Sequence, residues 1–336
     1  MVEVWHDDDA ELRHVQARNV AVLGAEYESL AHALCLRDSG VDVRIGLIDS
    51  GAGVACDMEG MPAVSPYDAC EESDLIMVLA SSAVSPSLFG SAVEPNLVAG
   101  DALLFRSGFE IRYGSVRPPS GVDVGLVAPQ ASARLLRREF SEGRGVPMLV
   151  AVETDASHTA WELTLSYAKA IGGTRAGAIK TTFAEEAETF LFGGQGVLGD
   201  AVTRFVEAGF QTLMDAGHPP EIAYLQSVHQ LKLIVDALHS GGRSDGQPPT
   251  PRPAALVADT AACQLVDDSV RDRLRQVLDT ITRTPRIADF PGVGLGDSEP
   301  GPPPARTRSE EASLESAGRE VRARMSWLDA FWDDPL

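Results

Sequence analysis

Lysine is almost missing from this 336-residue chain: it occurs only at 169, 180 and 232, so the basic side chains are nearly all arginine, a bias that high genomic GC content explains without any function. Lys and Arg together number 28 against 49 Asp and Glu, a formal charge of −21. A chain so short of positive charge is not expected to bind nucleic acid or anionic membranes, both of which require clustered cations. No apolar run approaches the roughly 18 residues of a membrane span, and the acidic N-terminus is unlike a secretory signal. A cytoplasmic protein is the expectation. Cys35, Cys56, Cys70 and Cys263 show no C-x-x-C spacing and read as free thiols. No internal repeat is evident.

What is present is a regular alternation. The length suits roughly two domains with sizeable cores. Through residue 181, short runs rich in Val, Leu and Ile alternate with amphipathic segments. Val20 to Leu23, Val41 to Leu47, Leu75 to Leu79, Ala102 to Phe105, Val122 to Ala128 and Met148 to Val152 read as buried parallel strands of a doubly wound α/β domain. From Glu185 the pattern turns helical, with Ala201 to Ala216, Pro220 to His239 and Ser269 to Thr282 as long elements. His218-Pro219-Pro220 places prolines at a helix start, where the missing N–H does no harm. Gly241 to Pro253 and Pro291 to Arg308 have the Gly, Pro, Ser and Asp content of surface loops.

The segment Thr181-Thr182-Phe183-Ala184-Glu185-Glu186-Ala187-Glu188-Thr189-Phe190-Leu191-Phe192-Gly193-Gly194-Gln195 resembles a metal-binding helix of the ketol-acid reductoisomerase family, in which a run E-T-D-L-F-G-E-Q turns an Asp and a Glu to one face. Phe190 and Gly194 stand at those two positions. The segment Ala223 to Asp236 resembles the family's second metal helix, and Gln226 and Gln230 stand where two Glu are usual. The resemblance implies two Mg2+ ions and NADPH. Mg2+, however, is normally held by carboxylates, so Phe, Gly and two neutral amides predict no metal site.

The nucleotide end departs in the same direction. Asn19 to Leu34 reads as a strand, a turn and a helix start, the setting of a G-x-G-x-x-G loop. Gly24 is kept, but the second and third glycine positions are Glu26 and Ser29. Glu26 and Glu28 suit a helix N-terminus and repel a phosphate. At the end of the next strand, where the family carries basic or hydroxyl residues for the NADPH 2'-phosphate, Ile48 has no charge and Asp49 has the wrong one. An Asp there suits an NAD ribose instead. On this reading no cofactor is expected in the family manner.

Two further positions differ. Leu103 to Ile111 resembles a segment whose family form is F-A-H-G-F-N-I, with Ser107 in place of the His, and Val127-Ala128-Pro129-Gln130 resembles V-A-P-K, with Gln130 in place of the Lys. Val257 to Cys263 resembles I-S-N-T-A-E-Y, with Ala258 where the family Ser contacts substrate from the partner subunit. The scaffold motifs His6 to Leu12, Gly143 to Pro147, Tyr167 to Gly177 and Ser316 to Leu328 match from end to end. The resemblance therefore implies a Rossmann-like doubly wound domain over 1–181, and over 182–336 a helical domain of the reductoisomerase type that is knotted and forms a homodimer.

The candidate pocket lining is Arg106, Ser107, Gln130, Arg134, Phe190, Gly194, Gln226, His229 and Gln230. Arg106 and Arg134 would clamp a carboxylate or enolate of a small organic substrate, or else pair with Glu139 or Glu142. His229, turned about 100 degrees from Gln230, reads as structural. Glu186 and Glu188 read as solvating or bracing their helix. Loss of the metal, His, Lys and phosphate-loop residues leads to the expectation of a scaffold repurposed for metal-free, non-redox isomerisation, cyclisation or dehydration. A pseudoenzyme that binds a ligand or partner is the first alternative, and an authentic NADPH- and Mg2+-dependent reductoisomerase the second.

Overall fold

The computed structural model describes residues 2–48, 53–241, 264–289, 314 and 316–318. Asp49, residues 242–253, 257–263 with Ala258 and Cys263, 291–308 and most of 316–328 lie outside the described residues. The chain divides into two compact units, the larger centred on Met1–Thr189 and the other on Phe190–Thr284.

The first unit is built on one eight-stranded sheet: β1 (Val4–Trp5), β2 (Asn19–Gly24), β3 (Asp42–Leu47), β4 (Leu75–Val78), β5 (Ala102–Phe105), β6 (Asp123–Pro129), β7 (Met148–Thr154) and β8 (Ala178–Lys180), in the order β1-β8-β7-β6-β5-β4-β2-β3. All six strands read from the sequence are present. β4 and β5 are wholly buried and β2 nearly so, which is why their sequences are continuous apolar runs with no period of two. Helices cover both faces over two extensive apolar clusters, one including Val22, Met77, Leu104 and Tyr167, the other Leu23, Ile76, Phe105 and Phe183.

The expectation of six parallel strands needs one correction. β7 runs antiparallel to β6, pairing Pro129 with Met148 and Val127 with Val150. The reason is local: the Gln130 N–H donates to the Pro147 carbonyl (2.9 Å), so the connection through the helix Ala133–Ser141 begins and ends at the same end of two neighbouring strands and the chain turns back. β8 then follows β7 in parallel, and β1 forms the edge of the sheet antiparallel to β8. β1 and β8, two and three residues long, are too short to show periodicity.

The helix Glu26–Asp38 is the central helix of this unit. Residues Ser29 to Leu36 are buried without interruption, because the sheet lies on one side and the helices Ala133–Ser141 and Ala160–Ala170 pack on others. His32 is among them. Its Nδ1 lies 3.1 Å from the Tyr167 hydroxyl, and burial, with Arg106 nearby, pushes its pKa down to about 3, so the ring is neutral. The thiols of Cys35, Cys56 and Cys70 are buried and free; burial pushes Cys35 and Cys56 up to about 11 and Cys70 up to about 12, which removes thiolate reactivity near neutral pH.

The second unit is helical. A π-helical stretch, Phe190–Ala201, leads into Val202–Asp215; Pro220–Tyr224 continues through a π-helical turn, Leu225–His229, into Gln230–Gly241; and Asp268–Arg283 follows, started by the Asp267 carboxylate on the Ser269 and Val270 N–H groups. Pro220 occupies the first helical position, as its fixed φ favours. Phe210, Ala223, Tyr224 and Ala317 form this unit's buried centre. Among the described residues no helix is long and apolar enough to cross a membrane.

Candidate functional site

In an open α/β sheet, ligands are bound at the carboxyl ends of the strands. Arg106 and Ser107 are the first residues beyond β5, so their side chains are delivered there by a wholly buried strand. Arg106 does not pair with Glu139 or Glu142, which are both taken by Arg144. Its Nε lies 2.5 Å from Glu28 Oε1, a contact that ties the end of β5 to the first turn of the helix Glu26–Asp38.

Ser107 sits in a more buried network. Its Oγ accepts from the Phe109 N–H (3.2 Å) and donates to Glu186 Oε2 (3.4 Å), and the same carboxylate oxygen accepts from the Gly108 N–H at 2.6 Å. Glu188, two residues along, holds Arg112 at 2.7 Å. Glu186 therefore reaches inward and does not merely solvate its helix. Beside it, Glu110 is 3 % exposed; burial, with Glu186 adding to it, pushes its carboxyl up to about 7, and burial also raises Glu186. Burial thus makes both carboxyl groups harder to ionise, and that of Glu186 touches the Ser107 hydroxyl. Sequence reasoning passed over Glu110, although its signal was visible: it takes the Asn place in the F-A-H-G-F-N-I pattern.

The remaining first-unit candidates lie after β6. Gln130 is exposed, and its side-chain amide donates to its own strand's Ala128 carbonyl at 3.0 Å. Arg134 is exposed on the first turn of its helix. Among the described residues neither is hydrogen-bonded to Ser107 or Glu186.

At the first βα turn, Gly24 ends β2 with no room for a side chain: a Cβ would stand 2.9 Å from Leu79 Cβ and 3.0 Å from Ser29 Oγ. Ser29, at the third glycine position, is fully buried and its hydroxyl has no partner among the described residues. Tyr27 is exposed, and the two neighbouring carboxylates diverge, Glu28 to Arg106 and Glu26 across to the next helix start, where Oε1 accepts from the Gly53 N–H (2.9 Å) and the Ala55 N–H (2.8 Å). Ala25 supplies no side-chain cap, so the N–H groups of Glu26, Tyr27 and Glu28 at the start of a 13-residue helix take no hydrogen bond among the described residues. These donors fit the pyrophosphate of a dinucleotide. The cation beside them, Arg106, is taken up by Glu28.

In the helical unit, Phe190 is 43 % exposed, and a Cβ on Gly194 would meet its ring at 2.9 Å, so the two positions pack on one another and supply no ligand atom. Gln226 and Gln230 are exposed on the helix that runs through the π-helical turn, and His229 is half-buried between them in sequence. Among the described residues no group of three or more His, Cys, Asp or Glu is placed to hold a metal ion. Two neutral amides with a Phe and a Gly do not fit a pair of Mg2+ ions.

Residues 14–177 match the family model for the NADPH-binding domain of acetohydroxy acid isomeroreductase, and residues 183–327 match that for the C-terminal domain of ketol-acid reductoisomerase. The chain belongs to the ketol-acid reductoisomerase family. Among curated relatives, ketol-acid reductoisomerase (NADP(+)) of Kineococcus radiotolerans is 43% identical and that of Renibacterium salmoninarum 44% identical, each over 98% of this chain and 96% of the relative. A solved NADH-preferring ketol-acid reductoisomerase from an uncultured archaeon superposes with a TM-score of 0.77 at 29% identity, over 99% of this chain and 96% of that one. A semialdehyde dehydrogenase NAD-binding protein from Cupriavidus necator, 13% identical with a TM-score of 0.59, covers 80% of this chain and 99% of its own and shares the fold alone.

The fold expectation, a Rossmann-like doubly wound domain followed by a helical reductoisomerase-type domain, holds. The functional expectation does not. Metal-free, non-redox isomerisation, cyclisation or dehydration is overturned by full-length relatives at 43% and 44% identity that are reductoisomerases by name, and the pseudoenzyme alternative gains no support. The physical reason is that a few substituted positions show which groups are missing and contain no information on which reaction replaced the original.

Proposed function

We propose that this protein is a nicotinamide-dinucleotide-dependent ketol-acid reductoisomerase acting on an acetohydroxy acid. Identity of 43% and 44% over 98% of the chain to NADP(+) reductoisomerases is the observation that carries this reading. When bound, the dinucleotide supplies hydride to the carbonyl carbon. The chain's own residues then have to deliver a proton to the oxygen. Ser107 is suited to that role, since its Oγ is fixed by the Phe109 N–H and lies against the Glu186 carboxyl, whose proton affinity burial raises. Arg106, anchored by Glu28, supplies positive charge at the same strand end.

We infer further that it is a divergent member, in which Phe190, Gly194, Gln226 and Gln230 replace the metal carboxylates and Ser107 and Gln130 replace the His and Lys. Oxidation of reduced nucleotide is expected with an acetohydroxy acid, or with the corresponding 3-hydroxy-2-keto acid when reduction alone is needed, and Ser107→Ala is expected to slow it on the order of a hundredfold. Calorimetry with MgCl2 is expected to show no saturation below the millimolar range. Absence of oxidation with both acids, both nucleotides and Mg2+ present would sink the proposal; tight Mg2+ binding would sink the divergent part.

The same reading includes a symmetric homodimer in the cytoplasm. Phe205, Ile222, Leu233, Val235 and Leu238 are exposed apolar residues of the helical unit, and their burial between two copies would remove that apolar surface from water. Light scattering at micromolar concentration is expected to give twice the mass of the 35.7 kDa chain, and a monodisperse monomer rejects the assembly.

A further inference from the structure

We propose that Glu26 is a specificity-determining residue that makes this chain select NADH over NADPH; the inference rests on the dinucleotide-dependent reading above and adds which dinucleotide is taken. Glu26 opens the helix that follows β2, whereas Gly53 and Ala55 open the helix that follows β3, and β2 and β3 are hydrogen-bonded neighbours with Gly24 opposite Leu47. The carboxylate, by accepting from both the Gly53 and Ala55 N–H groups, therefore spans the crevice between the carboxyl ends of the two strands. In a doubly wound fold that crevice receives the ribose next to adenine, where a carboxylate accepts from a free 2'-hydroxyl and repels a 2'-phosphate.

Three observations support one direction of selectivity. First, the two N–H groups nearest the crevice are already used by Glu26, so they are withdrawn from any phosphate, while Glu26 Oε2 takes no hydrogen bond among the described residues and remains an acceptor for a hydroxyl. Second, residues 45–105, which include every segment between β3 and the end of β5, contain no Lys, Arg or His. The flanking arginines are engaged, Arg44 with Glu72 at 2.6 Å and Asp42 at 3.4 Å, and Arg106 with Glu28. Third, a cavity of about 280 Å³ beside Ile48 is lined by uncharged residues, Ser65, Pro66, Tyr67, Val84 and Leu88 among them, which suits a flat uncharged ring and offers nothing to a dianion. A phosphate monoester, with its charge of about −1.5 to −2 at neutral pH, would face the Glu26 carboxylate across the crevice with both flanking arginines already paired.

The test is binding without turnover. Full-length protein is titrated with NADH and with NADPH, by ligand fluorescence or calorimetry, at low and at high salt. NADH is expected to bind at least about tenfold tighter at low ionic strength, with the ratio shrinking as salt screens the repulsion. Glu26→Gln keeps an oxygen for the Gly53 and Ala55 N–H groups and removes the charge; it is expected to tighten NADPH and bring the two within about threefold of each other, with an unchanged melting curve. Glu26→Ala, which also loses the tether, is expected to narrow the ratio in the same direction. Equal affinities or tighter NADPH in the wild type, or an unaltered ratio in Glu26→Gln, overturns the assignment and leaves the reductoisomerase reading standing. Failure of both nucleotides to bind the wild type overturns both.

Discussion

Gly108→Ala is expected to lower the stability of the first unit by about 3 kcal/mol, a fall in melting temperature on the order of 10 °C. Gly108 has an ordinary φ of −76°, so backbone freedom is not at issue. The constraint is space. A Cβ at this position would run into the Phe183 carbonyl, with the Phe183 carbonyl carbon at 2.8 Å and its Cα at 2.9 Å, and backbone atoms have no rotamer with which to move aside. Any shift that relieves the clash also pulls the Gly108 N–H away from Glu186, leaving a buried carboxylate oxygen without its shortest donor. Gly90→Ala is the control, because nothing lies within 4 Å of a Cβ there. Thermal melts of the two variants that superimpose would show that the close approach is not a constraint in solution.

The second large effect is pH-dependent. Glu110 has an ordinary pKa of 4.5 and is pushed up to about 7 in the folded protein, mainly by burial and further by Glu186, with Arg106 opposing. A carboxyl raised on folding contributes stability that is complete below the unfolded pKa and is lost as pH rises through the folded one. The loss therefore runs from about pH 4.5 to about pH 7 and amounts to about 3 kcal/mol once complete. His32 works in the opposite sense. Pushed down from 6.5 to about 3, it contributes stability that is present above 6.5 and is lost as pH falls toward 3. The wild-type profile is consequently a compromise between the two, and Glu110→Gln isolates one of them. The variant, which carries no titrating group at 110, is expected to gain on the wild type progressively between pH 5 and pH 8 in urea-unfolding measurements. A difference that stays constant over that range would mean that Glu110 is ionised in the folded state at its ordinary pKa.

Both effects converge on the short segment after β5, and they show how much of the site was legible in advance. Arg106 and Ser107 stood out because they interrupt a recognisable pattern directly after an apolar strand. Their partners did not. Glu28 lies 78 positions away from Arg106 in the chain and Glu186 lies 79 away from Ser107, and nothing in spacing or composition pairs them. Glu26 was legible as a negative charge at a helix start; that it reaches the Gly53 and Ala55 N–H groups depends on β2 and β3 being neighbours.

The sequence by itself determined the parts of this protein that depend on local pattern. Continuous apolar runs identified six strands, because burial on both faces leaves no alternation, and a change to long helical segments with proline at a helix start identified the helical half. Motif order along the chain was enough for the family. Tertiary structure alone decided what depends on which distant groups share a buried volume: the reversal of β7, imposed by a connection that begins and ends at the same end of two neighbouring strands; the packing of Phe190 against Gly194; and the high proton affinity of Glu110. A carboxyl group's pKa is set by the water it loses and the charges it faces, and both are properties of the folded surroundings that residue type does not specify.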